Sequence, residues 1–175
     1  IERRDVNGLS GCVNIYDITL KNINLVANDS KCEDAFNFVR TSGSINNIEI
    51  NNSSFDAVDF DFSNLNINNA KINNAGNDCI DFSYGYYSLV NADINICGDK
   101  GLSIGESSKF FSKKANINNS KIGIASKDSS VSTFSSVIMN RIDNCVSAYK
   151  KKQEFNGGLL VIDKIYCNDF KTFKN

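Results

Sequence analysis

The chain has no histidine and no proline, has one methionine, and shows no long apolar run. Without histidine, a metal site with imidazole ligands is excluded, and the cysteine spacing does not match a zinc site. Without an apolar run of membrane length, insertion into a membrane is not expected. The net charge of −1 argues against nucleic acid as a partner, because such partners need clustered basic charge. The run Lys150, Lys151 and Lys152 is the exception, and it predicts either a solvated turn or an anion contact.

A step of 22 residues organises the chain. Small or thiol residues recur at this step, and two apolar columns keep the same interval. The small column comprises Ala35, Ala57, Cys79, Gly101, Gly123, Cys145 and Cys167. The apolar columns comprise Phe36, Val58, Ile80, Leu102, Ile124 and Val146, and then Ile45, Ile67, Leu89, Phe111, Thr133 and Phe155. A repeat of this length indicates units that each bury an apolar face against the next unit.

Within each unit the side chains alternate as they do in a β-strand. Ile80 and Phe82 share one face, whereas Asp81 and Ser83 share the other. A second alternating run follows in every unit, and 22 residues are too few to include a crossover helix. The sequence therefore predicts an all-β fold in which successive coils stack as parallel strands, which is a parallel β-helix.

Two further features concern the corners and the first coil. Asparagine recurs after the second strand and predicts stacked corner residues in the left-handed conformation. These residues are Asn51, Asn73, Asn95, Asn118 and Asn140. Ile15, Ile18 and Leu20 match later columns only at a step of 30, so we expect an eight-residue excursion near 26–33. No linker divides the chain, and we expect one domain over residues 1–175, cut from a longer protein with flanking domains.

Six cysteines in a small β protein favour an extracellular or cell-surface location. With rungs about 4.8 Å apart, Cys79 and Cys145 lie three rungs apart and cannot bond. Cys145 and Cys167 would lie on adjacent rungs with poorly aimed Cβ atoms, so we expect buried thiols there. The possible bridges are Cys79 with Cys97 and Cys12 with Cys32.

Candidate chemistry lies at the start of the first strand, where Asp56, Asp78 and Lys100 are spaced by 22 and should stack on three rungs. Stacked carboxylates repel, which raises the pKa of one of them unless a cation such as Lys100 compensates. A carboxyl pair is what glycoside hydrolysis requires. The alternatives are a charge-balanced ladder that bonds the turn backbone and a Ca²⁺ site. Calcium would take oxygens from Asp59, Asp61, Asp81 or Glu106.

Four segments carry a family resemblance. They are FDAVDFD at 55–61, GNDCIDFSYG at 76–85, CGDKGLSIGESS at 97–108 and GIASKD at 123–128. In order and spacing they resemble the four motifs of the polygalacturonase-type pectin-degrading hydrolases, within the pectin-lyase-like superfamily. The resemblance covers positions 54 to 128 and implies a right-handed parallel β-helix.

The resemblance also implies roles for single residues. Asp56 and Asp78 match catalytic aspartates, Lys127 matches the lysine that binds the substrate carboxylate, and Cys79 with Cys97 matches a family disulfide. Three positions depart from the pattern: Asn77 replaces an aspartate, Lys100 a histidine and Ala125 an arginine. An amide cannot donate a catalytic proton, so standard hydrolysis is not expected.

The sequence thus predicts a right-handed parallel β-helix of about seven coils that contacts an anionic or neutral polysaccharide. Its candidate catalytic residues are Asp56 and Asp78, and its candidate substrate-binding residues are Asn77, Lys100, Lys127, Asp81 and Glu106. No resident cofactor or metal is expected. Two alternatives stay open: a structural or adhesive spacer without a catalytic site, and an active polysaccharide hydrolase or lyase. If Lys127 faces a groove, its removal should leave stability nearly unchanged.

Overall fold

The computed structural model describes residues 8–174, which form an eleven-stranded parallel β-solenoid of about six turns. The strands are β1 (Gly11–Tyr16), β2 (Thr19–Ser30), β3 (Asp34–Val39), β4 (Ser42–Ser53), β5 (Asp56–Asp61), β6 (Asn64–Ala75), β7 (Ile80–Ser83), β8 (Tyr86–Gly105), β9 (Lys109–Lys127), β10 (Val131–Tyr149) and β11 (Leu159–Lys174). Every ladder between them is parallel. The all-β parallel architecture is confirmed, with about six turns where about seven were expected. Residues 8–174 offer no apolar helix of membrane-spanning length.

Each coil has a short first strand and a longer second strand. The first strands of the early coils are β1, β3, β5 and β7, and the second strands are β2, β4 and β6. In the later coils the chain passes the corner without a break. There β8, β9 and β10 each join a second strand to the first strand of the next coil.

The core lies between the first and second strands and is filled by the predicted inward columns. Ile80, Phe82, Leu102 and Ile104 are all fully buried, as the alternation predicts. Phe60 lies 5.1 Å from Phe82 between ring centroids, so the aromatic rings stack from rung to rung. Burial of this face leaves the alternate side chains of each strand on the outward face.

The first coil contains no eight-residue excursion, so that prediction was wrong. Leu25 pairs with Ile48 at a step of 23, and the ladder keeps this step as far as Ser30. From Asp34 onwards the step is 22, so the one extra residue lies at the corner between Ser30 and Asp34. Ile18, which had suggested the larger step, is exposed and lies outside the core. The step of 30 was inferred because Ile18, an apolar residue between two strands, fits the alternating pattern of a strand although it belongs to none.

One extra residue enters the middle of the stack, where the predicted columns keep a constant step of 22. Tyr86 pairs with Lys109 at a step of 23, so the insertion precedes β9. As a result Ser112 and Phe134 occupy the inward column that begins at Ile45. The predicted members that lie outside the core are Phe111, Thr133 and Phe155.

The last coil carries the largest insertion. Val131 pairs with Leu159 at a step of 28, because residues 150–158 form a loop outside the strands. We call this segment the 150–158 loop. Cys167 consequently pairs with Met139 on the second strand, not with the position of Cys145 on the first strand.

All six cysteines form disulfides, with the pairs Cys12–Cys32, Cys79–Cys97 and Cys145–Cys167. The first two match the bridges considered possible from the sequence. Cys145 and Cys167 are bonded instead of being free thiols, which corrects that prediction. The shifted register brings Cys167 across the coil towards Cys145, with 6.4 Å between their Cα atoms.

The column of small residues has a packing reason. A Cβ atom on Gly101 would lie 2.6 Å from Cγ2 of Ile117, a second-strand residue that fills the same inner corner. Only a small side chain, or a cysteine that bonds across the corner, fits there.

Two corners in each coil use left-handed residues that are not glycine. At the bend within β4, β6 and β9 these are Asn52, Asn74 and Asn119, each one position beyond the predicted asparagine column. The stacking prediction holds beside them, since Asn95 Nδ2 donates to Asn73 Oδ1 at 3.0 Å. After the first strand the left-handed residues include Arg40, Phe62 and Tyr84, with φ of 53°, 51° and 48°.

Candidate functional site

The aspartates that start the first strands form a ladder of hydrogen bonds to the backbone. Asp56 Oδ1 accepts the N–H of Asp78 at 2.8 Å, and Asp78 Oδ1 accepts the N–H of Lys100 at 3.0 Å. Each carboxylate therefore satisfies a backbone donor on the next rung. The predicted stack of Asp56, Asp78 and Lys100 is present, and it has the geometry of a structural ladder.

Lys100 is held in buried ion pairs. Its Nζ lies 3.3 Å from Asp78 Oδ1 and also bonds Asp99, and the residue is 8% exposed. Burial alone would lower the pKa of Lys100, but the carboxylates of Asp78 and Asp99 raise it above its usual value. Lys100 therefore stays protonated and cannot act as a general base near neutral pH.

The aspartates of the ladder titrate at unusually high pH. Burial, with repulsion from Asp78, raises the pKa of Asp56 to about 7. Burial also raises the pKa of Asp34, one rung earlier, to about 6. For Asp78, burial and the charge of Asp81 raise the pKa, while Lys100 opposes the shift. The like-charge repulsion expected from the spacing is thus present.

Asn77 lies at the exposed edge of this ladder. Its amide Nδ2 donates to Asp56 Oδ1 at 2.7 Å. Asp56 Oδ1 thus accepts two hydrogen bonds, and Asp78 is 4% exposed with one oxygen on a backbone N–H. The Oδ1 atoms of both carboxyl groups are therefore engaged by the backbone of the next rung.

Lys127 does not face a groove. The residue is 2% exposed, and its Nζ lies 3.5 Å from Asp81 Oδ2. Its side chain passes over Gly105, where a Cβ would lie 2.6 Å from Lys127 Cε, so only glycine leaves this path open. Burial opposes the charge, but Asp81 and Glu106 raise the pKa of Lys127. Loss of Lys127 would leave buried carboxylates without a counter-charge and would lower the stability of the protein. The stability expected to be unchanged for a groove-facing lysine does not fit this environment.

Glu106 is buried beneath the 150–158 loop. Its Oε2 accepts the hydroxyl of Ser83 at 2.7 Å, and its Oε1 lies 2.7 Å from Lys152 Nζ. Asp128 Oδ1 accepts the backbone N–H groups of Lys151 and Lys152 at 2.6 and 2.8 Å. The lysine run is therefore an anchored part of the loop, and it binds acidic groups of the same chain.

A concave region with a volume of about 380 Å³ opens beside the ladder, across the coils of β1, β3 and β5, and β5 also carries Asp56. We call it the acidic pocket; its side chains include Tyr16, Asn37, Arg40, Asp59, Asp61 and Phe62. Arg40 is exposed and donates from Nη1 to the Tyr16 hydroxyl at 2.8 Å. Burial, with the charges of Asp61 and Asp81, raises the pKa of Asp59 well above its usual value.

Sequence reasoning missed Tyr16, Asn37 and Arg40. A signal was present for two of them, since Asn37 and Arg40 each stand one step of 22 before an outward residue of the next coil, Asp59 and Phe62. Tyr16 had no such signal, because the first coil follows a different step.

Aromatic side chains border this face at the corner. The Phe62 and Tyr84 rings stack with centroids 4.6 Å apart and an interplanar angle of 4°. Both residues are exposed, and Phe155 of the 150–158 loop packs against Tyr84 at 6.1 Å. Bulky residues are unfavourable in the left-handed region, so Phe62 and Tyr84 occupy strained backbone positions.

A metal centre does not form from the described side chains. Among residues 8–174, no three Asp, Glu, Cys or His side chains lie close enough together to hold an ion. The oxygens considered for calcium are spread over several rungs, and Asp81 and Glu106 face lysines instead.

Comparison of the chain with protein-family models, with curated proteins and with solved structures finds no match. The parallel solenoid and the Cys79–Cys97 bridge agree with the polygalacturonase resemblance. No finding supports membership of that family, and the resemblance rests on the four motifs alone.

Proposed function

We propose that this domain is a glycan-binding module that holds a neutral oligosaccharide in the acidic pocket without cleaving it. The observation that carries the proposal is the composition of that pocket. It combines carboxylates and a guanidinium with two aromatic rings. Sugar hydroxyls donate to carboxylates and accept from arginine or amide groups, and the apolar face of a sugar packs on aromatic side chains.

Charge favours a neutral ligand over a uronate in this pocket. Burial and the charges of Asp61 and Asp81 already raise the pKa of Asp59, so a ligand carboxylate beside Asp59 would add to this repulsion. The lysines assigned to a uronate by the motif resemblance, Lys100 and Lys127, are buried in ion pairs. The ladder supports binding without cleavage, since Asp56 Oδ1 and Asp78 Oδ1 each accept a backbone N–H.

The test is binding to a panel of neutral oligosaccharides that contains glucose, xylose, mannose and galactose oligomers. Arg40→Ala removes an exposed donor of the pocket and should weaken binding about tenfold. Arg141→Ala is the matched control, because Arg141 is exposed at the other corner, where it bonds Asn119. Incubation with the bound oligomer should release no new reducing ends.

A structural spacer is the second candidate function. It is favoured by the ladder, in which Asp56, Asp78 and Lys100 form hydrogen bonds with one another. Wild-type protein that binds no member of the panel would contradict glycan recognition in the acidic pocket and leave the spacer. Release of reducing ends would contradict both.

A further inference from the structure

A second concave surface lies on the outer side of the second strands in the later coils. Two concave regions follow each other along β9, with volumes of about 430 and 560 Å³. We call them together the basic groove. Its side chains include Tyr86, Lys109, Phe111, Lys113, Lys114 and Lys164. None of these residues belongs to the acidic pocket or to the ladder.

The strand register brings the lysines together from distant parts of the sequence. Lys114 and Lys164 both pair with Ser136 of β10, so they lie two rungs apart on one column. That spacing is about 10 Å. Lys109 and Lys113 lie on the same strand as Lys114. The solenoid thus concentrates positive charge on one face of a protein whose net charge is −1.

These ammonium groups are available to a ligand. Within residues 8–174, none of the lysine ion pairs involves Lys109, Lys113, Lys114 or Lys164. All four residues are exposed, and Asp163 is the single acidic residue that lines the groove. Lys100 and Lys127, in contrast, are buried and already neutralised.

Aromatic rings accompany the charges. Tyr86 is 62% exposed and Phe111 is 43% exposed, although both extend from a β-sheet. Lys109 Nζ lies 5.3 Å from the centroid of the Tyr86 ring, close enough for a cation–π contact. The groove therefore offers apolar faces beside cations, and Ser88 and Thr133 also line it.

We propose that the basic groove binds an anionic polysaccharide. The lysines receive its carboxylate or sulfate groups, and Tyr86 and Phe111 pack against its sugar rings. Single-stranded nucleic acid has a related chemistry, since it also combines charge with stacking. The three disulfides favour the glycan, because they indicate an oxidising compartment outside the cytosol and nucleus.

The experiment measures binding of the whole chain to a galacturonic acid hexamer and to a sulfated glycan oligomer of similar length. Lys113→Gln combined with Lys114→Gln keeps a long polar side chain at each position and removes two charges, so affinity for at least one probe should fall roughly tenfold or more. Lys21→Gln combined with Lys121→Gln is the control with equal charge loss, since both lysines are exposed and lie outside the groove. Tyr86→Ala should weaken binding, while raising the salt concentration should weaken wild-type binding by screening.

Several results would overturn the proposal. Equal losses of affinity in the groove variant and the control variant would show that binding depends only on net charge. Tighter binding of single-stranded DNA, or of vesicles with anionic lipid, would reassign the groove to another partner. Arg40→Ala should bind both anionic probes as wild type does, so failure in the basic groove is distinguishable from failure in the acidic pocket.

Discussion

The buried ion pair of Lys100 permits a sharp test of the ladder. Lys100→Met keeps the apolar stem and removes the charge, which leaves Asp78 and Asp99 without their cation. Asp78 is 4% exposed, so its carboxylate cannot recover full hydration in the variant. The variant therefore isolates the loss of an ion pair from the loss of side-chain volume.

Breaking one partner of a buried ion pair destabilises a protein by about 3 kcal/mol or more. For a chain of this length that corresponds to a fall of roughly 6–12 °C in the melting temperature. The exposed pair between Lys71 and Glu49, at 3.0 Å, provides the matched control. Lys71→Met should change stability by less than about 1 kcal/mol, because exposed pairs contribute little.

The loss of stability in Lys100→Met should depend on pH in one direction. Asp78 has a raised pKa in the folded protein, and removal of Lys100 raises it further. A carboxyl of this kind favours folding most when it is protonated, and that stability is lost as the pH rises through the folded pKa. The deficit of Lys100→Met should therefore be large at pH 8 and smaller at pH 5. Equal melting temperatures for the two lysine variants, or a deficit that grows on acidification, would refute the reasoning.

Three further predictions follow from the same structure. Asp56→Asn should stabilise the protein at pH 8 but not at pH 4, because its pKa of about 7 makes the wild-type charge unfavourable only at higher pH; melting curves at both pH values test this. Gly101→Ala should destabilise by about 1–3 kcal/mol in urea unfolding, since its Cβ would collide with Ile117. Non-reducing peptide mapping should recover Cys145 linked to Cys167, and free thiols there would contradict the register of the last coil.

Much of the fold followed from spacing alone. Ile80 and Leu102 are 22 residues apart and are neighbours in the core, because parallel coils of equal length place equal positions above one another. The ladder of Asp56, Asp78 and Lys100 followed for the same reason. Where the step changed, the prediction from the columns was wrong. Phe111 was expected to face inward but is exposed, because one added residue turns a side chain to the other face of a strand.

The sequence by itself determined the parallel coils, the inward columns and the stack of charges, since these depend only on a repeated interval and on alternation. Tertiary structure decided what each charge faces. It buried Lys127 against Asp81 and brought Cys167 to Cys145 through a step of 28. It also gathered Lys114 and Lys164, 50 residues apart in the chain, onto one face. The physical reason is that burial and charge pairing depend on neighbouring rungs and on the 150–158 loop, whose positions depend on small insertions that no single column reveals.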